Sequence, residues 1–129
     1  MNAVEMKTAD LIGSALDWAV SEAEDEPVHF AGGELRFIPA QFSDESLYAP
    51  STDWNQGGPL IEKHGIEVFC NVSAEQAARF KDAHPDWRAC MNRGRSVHFY
   101  GQTPLIAAMR CMVASKLGET VQVPRVLLP

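Results

Sequence analysis

One segment constrains this chain more than any other: Gly101-Gln102-Thr103-Pro104-Leu105-Ile106-Ala107-Ala108-Met109-Arg110-Cys111-Met112-Val113-Ala114-Ser115-Lys116-Leu117-Gly118. Thr103 offers an N-cap hydroxyl, Pro104 suits a first helical position where its missing N–H is no loss, and Gly118 supplies a stop. Between these signals only Arg110, Ser115 and Lys116 are polar, so the helix is apolar around most of its circumference. Such a helix is central in a domain or lies against a second subunit. A chain of 129 residues, 46% apolar, is long enough to wrap it. At this size a single core buries roughly two-thirds of the surface that the unfolded chain exposes. One compact domain over residues 1–129 is expected.

The other periodicities sort into short elements. From about Thr8 to Ala23, Leu11, Ile12, Ala15, Leu16, Trp18, Ala19 and Ala23 recur at helical spacing, with Asp10, Ser14, Asp17, Ser21 and Glu24 on the other side. This predicts an amphipathic helix that the acidic run before Pro27 ends. Gly32-Gly33 between residues 28–31 and 34–38 predicts a β-hairpin. Residues 39–59 dissolve into Pro, Ser, Asp, Asn, Gln and Gly with Phe42, Tyr48 and Trp54 among them. A passive connection is rarely that long, so the stretch reads as an ordered, functional loop. Strands are expected at residues 66–70, 86–90, 96–100 and 120–124. The middle two form a hairpin around Asn92-Arg93-Gly94, and Ser73 and Gln76 open a capping-box helix to about His84. The order predicts an α+β fold: a mostly antiparallel sheet packed with an N-terminal amphipathic helix and the central apolar C-terminal helix.

Charge and motif searches exclude several functions. With 11 Lys and Arg against 17 Asp and Glu, the net charge is −6, which opposes duplex nucleic-acid binding; the basic residues concentrate only at Arg88, Arg93 and Arg95. No run approaches the roughly 18 apolar residues of a membrane span, and no signal pattern opens the chain, so a cytoplasmic protein is expected. Cys70, Cys90 and Cys111 are scattered within apolar stretches and read as inert reduced thiols. His29, His64, His84 and His98 share no metal-ligand spacing, and neither a nucleophile elbow nor a phosphate loop occurs. We therefore assign no catalytic residue, no metal and no cofactor.

Binding chemistry concentrates in two places. In residues 51–59, Trp54 offers a plane for stacking, Asp53, Asn55 and Gln56 offer polar edges, and Gly57 and Gly58 let backbone approach a ligand closely. The same Trp54 could instead plug the core. On the apolar helix, Arg110 calls for an anion, either an internal carboxylate (Asp53, Glu62 or Asp17) or a ligand phosphate or carboxylate. Thr103 caps the helix start, whose free N–H groups could also meet an anion.

Residues 48–62, residues 101–111 with 113–118, and the opening 11–20 together resemble the phage NinX family, small proteins of lambdoid and related phages and prophages classed as a domain of unknown function. The segment from about Val72 to Arg95 departs from the family pattern, so nothing is carried over to it. The resemblance implies a phage-encoded protein acting in the bacterial cytoplasm and outside the virion. Small accessory phage proteins often counter host defence, and by analogy of genomic setting and size one mode of doing so is expected here: sequestration of a nucleotide-type small molecule such as a cyclic ADP-ribose derivative or cyclic oligonucleotide. Asp53, Trp54, Asn55, Gln56, Gly57, Gly58, Thr103 and Arg110 would form the pocket of a homo-oligomer. The alternatives are a protein-binding regulator or inhibitor of a host factor, using the acidic surface and exposed aromatics, and a small nucleotide-degrading enzyme.

Overall fold

The computed structural model describes residues 2–38, 46–72, 74–79, 86–91 and 98–128. Its elements run β1 (Ala3–Lys7), α1 (Gly13–Glu24), β2 (Val28–Ala31), β3 (Glu34–Phe37), α2 (Trp54–His64), β4 (Glu67–Val72), α3 (Ala74–Arg79), β5 (Asp86–Cys90), β6 (Phe99–Gly101), α4 (Pro104–Leu117) and β7 (Thr120–Pro124). The class is α+β, as expected. Among the described residues every strand pairing is antiparallel, but the strands divide among three small sheets, β1–β7, β2–β3 and β4–β5–β6, in place of one.

At the centre lies α4. The Thr103 hydroxyl accepts from Ile106 N–H at 3.1 Å, and Leu105 through Met109 and Cys111 through Val113 are all buried. Elements of the same chain surround it: β6 and β5 with β4 on one flank, α1 and α2 on others. The apolar circumference is thus consumed within one chain, and it calls for no second subunit. Leu11, Leu16, Val20, Met109 and Met112 are fully enclosed at this junction.

The first helix differs from expectation at its start and on one face. It begins at Gly13, because Thr8 is drawn away: its N–H donates to Glu119 O at 2.8 Å and its hydroxyl to Gly118 O at 2.7 Å, just past the end of α4. The residues before it form β1, which the sequence pattern did not signal. Asp17 and Ser21, expected to face water, are buried. The segment leading into α2 covers that face, and Ser51 N–H donates to the Asp17 carboxylate at 2.8 Å.

The larger correction concerns residues 54–59, expected in an irregular loop and found as the first half of α2. Asp53 accepts from Asn55 N–H at 2.9 Å as N-cap, and Gln56, three positions on, donates to the Asp53 carboxylate at 3.3 Å. Those contacts, with Gly57 packed against the core, override the helix-breaking tendency of Gly57-Gly58-Pro59. Residues 39–45 of the expected loop lie outside the described residues, as do Ser73, His84, the Asn92-Arg93-Gly94 turn and Arg95.

Candidate functional site

Gln56 organises the approach to α2. Its side-chain amide donates to Leu47 O at 2.8 Å, and its carbonyl accepts from Ala49 N–H at 2.8 Å. Residues 47–49 are thereby stitched to the helix start, and Tyr48 N–H reaches back to Leu35 O on β3. Gly57 allows the close approach that follows: a Cβ there would sit 2.3 Å from Pro50 O and 2.6 Å from Leu105 Cδ2. What this glycine approaches is the protein's own backbone and α4. Gly58 lies beside the Trp54 ring, which would be 3.8 Å from a Cβ at that position.

Trp54 is 56% exposed, so the ring plugs no core. Asn55 beside it is exposed as well. Thr103 spends its hydroxyl on the cap of α4. Arg110 Nε donates to Leu11 O at 2.8 Å and a terminal nitrogen donates to Tyr100 O at 2.7 Å, so its guanidinium ties the approach to α1 and the strand β6 to α4. Backbone carbonyls are a partner that the sequence reasoning did not weigh.

A cleft of about 260 Å3 lies between the end of α1, the β2–β3 hairpin and α2. Phe37 and Tyr48 line it, packed edge to face with ring centres 4.9 Å apart at 89°. Pro50, Pro59 and Leu60 complete its apolar walls, Asn55 and Gln56 lie at its α2 side, and Glu24 and Glu26 supply carboxylates. Two predicted residues, Asn55 and Gln56, therefore meet in this cleft, whereas Trp54, Thr103 and Arg110 do not line it. Glu24, Glu26, Phe37 and Tyr48 were not anticipated as site residues. The acidic run 22–26 and the aromatic at 48 were visible, but nothing in the sequence placed them side by side.

Electrostatics here are negative. Burial pushes the Glu24 carboxyl up, but hydrogen bonds from Lys63 Nζ at 2.8 Å and His64 Nε2 at 2.6 Å, with their charges, overcome it and hold Glu24 below the usual carboxylate range. Tyr48 is pushed far above the ordinary phenol value by burial and by the charges of Glu26, Asp17 and Glu24, so it keeps its proton. Asp17, under Ser51, is raised from 3.8 to about 6 by burial, against the opposing hydrogen bond from Ser51 N–H.

Elsewhere, Cys90 and Cys111 are buried, and burial together with nearby Cys90 pushes Cys111 up to about 11. Cys70 departs from the expected buried thiols in being exposed. The Arg88 guanidinium sits 5.0 Å above the Phe69 ring. Among the described residues no helix is long and apolar enough to cross a membrane, and no group of His, Cys, Asp and Glu could hold a metal ion.

The chain was compared with known proteins. A family model described as "Bacteriophage P22, NinX" matches residues 7–116, which takes in α1, α2, the cleft and nearly all of α4. A search of the curated proteins finds no match.

Proposed function

Since the chain belongs to the bacteriophage P22 NinX family, we propose that this phage protein works by binding, engaging a host protein through the face that carries the start of α2. The observation that supports this is Trp54, a large aromatic 56% exposed on the first turn of a helix that packs against α4. Tryptophan held rigidly at a surface is the residue type that most often supplies the energetic centre of a protein interface. The net charge of −6 adds steering toward a basic partner. In a tagged pulldown from infected cells, the wild-type protein is expected to retain a host protein. Trp54→Ala should lose it, and Gln122→Ala on the far ribbon should keep it. A host protein retained equally by all three, or none retained by folded wild type, overturns the reading.

The same open ring favours a second reading, in which Trp54 stacks on the base of a nucleotide-type small molecule and the protein, alone or as a homo-oligomer, sequesters it to counter host defence. Here Asp53 and Asn55 would contact polar edges. This reading ranks second because Thr103 and Arg110, the expected phosphate partners, hydrogen-bond to the chain itself. Calorimetric titration with cyclic oligonucleotides and ADP-ribose derivatives, followed by heat release, tests it. Ligand recovered intact supports sequestration, altered ligand supports a nucleotide-degrading enzyme, and silence across the panel removes both.

A further inference from the structure

The cleft beside α2 has a chemistry of its own. Tyr48 is 94% enclosed, at 6% exposure, yet it lines the cleft, and its hydroxyl has no hydrogen-bond partner among the described residues. The ring is enclosed while the hydroxyl stays open to the cleft, and a polar group opening into a cleft is available to a guest. Glu26, also on the cleft, has no ion-pair partner among the described residues, whereas Glu24 is already held by Lys63 and His64. The apolar walls of Phe37, Pro50 and Leu60 lie between these polar groups.

Charge decides which guest fits. The carboxylates of Glu24, Glu26 and Asp17 all act on the Tyr48 phenol, so the field in the cleft repels phosphate and attracts a cation. Size narrows the choice further. At about 260 Å3 the cleft is smaller than the roughly 300–1,000 Å3 of sites that enclose whole small-molecule ligands, and it suits one long side chain. A planar guanidinium can pack on aromatic and proline surfaces while its fork of donors reaches a carboxylate and a phenolic oxygen together, which a compact ammonium does less well.

We propose that this cleft takes the guanidinium of an arginine side chain presented by a partner protein, with Glu26 as its counter-charge, Tyr48 as a hydrogen-bond acceptor and Phe37 as packing surface. The assignment rests on the partner-binding reading for the source of the arginine, and it gives that reading a second contact beside Trp54.

The probe is N-acetyl-arginine amide, titrated into the full chain and followed by calorimetry and by amide chemical shifts at the cleft, with N-acetyl-citrulline amide and N-acetyl-lysine amide in parallel. Saturable binding of the arginine probe is expected, with no response to the neutral citrulline and weaker binding of lysine. Glu26→Gln should weaken the arginine probe about tenfold, the scale of one lost charge-assisted contact. Tyr48→Phe, which keeps the ring, should weaken it several-fold without unfolding the protein. No saturable response in folded wild type, equal binding of citrulline, or an unchanged affinity in Glu26→Gln overturns the proposal. The two readings fail separately: a host protein lost on Trp54→Ala without arginine binding removes this site alone, and arginine binding without a captured host protein removes the partner reading alone.

Discussion

At the scale of single residues, two side chains carry consequences that their positions in the sequence conceal. Asp17 is buried with its carboxyl raised from 3.8 to about 6, so between those values the folded protein holds a proton that the unfolded chain has released. Folding stability from this group therefore falls as pH rises from about 4 to about 6, by an amount on the order of 3 kcal/mol. In Asp17→Asn the amide oxygen can still accept from Ser51 N–H, and the charge is gone. Urea unfolding at pH 4, 5, 6 and 7 should show the variant gaining on wild type across that window and level above it; a constant difference at every pH would contradict the burial argument. Gly57→Ala makes a steric statement. Its Cβ would fall 2.3 Å from Pro50 O, a backbone atom that cannot swing aside. A loss of about 2–4 kcal/mol is expected in the same assay, against the roughly 1 kcal/mol that an alanine ordinarily gains over glycine in a helix.

At the scale of elements, Glu24 joins the ends of α1 and α2 through Lys63 and His64. Glu24→Gln removes the charge that both partners meet, with an expected loss of about 1–2 kcal/mol at neutral pH. Because the Glu24 carboxyl is held low in the folded state, its contribution is present above the ordinary carboxylate range and lost as pH falls through the folded value. The deficit of the variant should accordingly shrink on acidification, opposite in direction to the Asp17 effect, and thermal melts at pH 7 and pH 4 check it. At α4, Thr103→Ala deletes the cap on Ile106 N–H and should cost about 1 kcal/mol, read as a lower urea midpoint with an unchanged slope. The two helices differ in how legible they were. The boundaries of α4 could be read from Thr103, Pro104 and Gly118 because its caps and its composition agree. In α2 they disagree: Gly57, Gly58 and Pro59 signal a break, whereas Asp53 and Gln56 carry the capping-box pattern that would have revealed the helix.

At the scale of the whole molecule, the ribbon of β1 and β7 closes the fold beside the span that the family model matches. Val121 and Val123 are buried on β7 opposite Met6 and Val4. Removing residues 1–6 takes away the partner strand and should lower the melting midpoint by several degrees and expose an unpaired strand edge, measured by calorimetry and by light scattering. A truncated chain that melts like the full one would mean that β7 is held by α1 and α4 alone. What the sequence determined by itself was the central helix, the β2–β3 hairpin, the strand segments after it and the fold class, since those follow from local periodicity and cap chemistry. The family could likewise be read from extended stretches of residues. Only the tertiary structure decided that Asp17 is buried, that Arg110 reaches backbone carbonyls, and that Glu26, Tyr48 and Phe37 share a cleft. The reason is physical: burial and pairing between residues 17 and 51, 110 and 11, or 26 and 48 depend on where separate elements come to rest, and no local pattern encodes that distance.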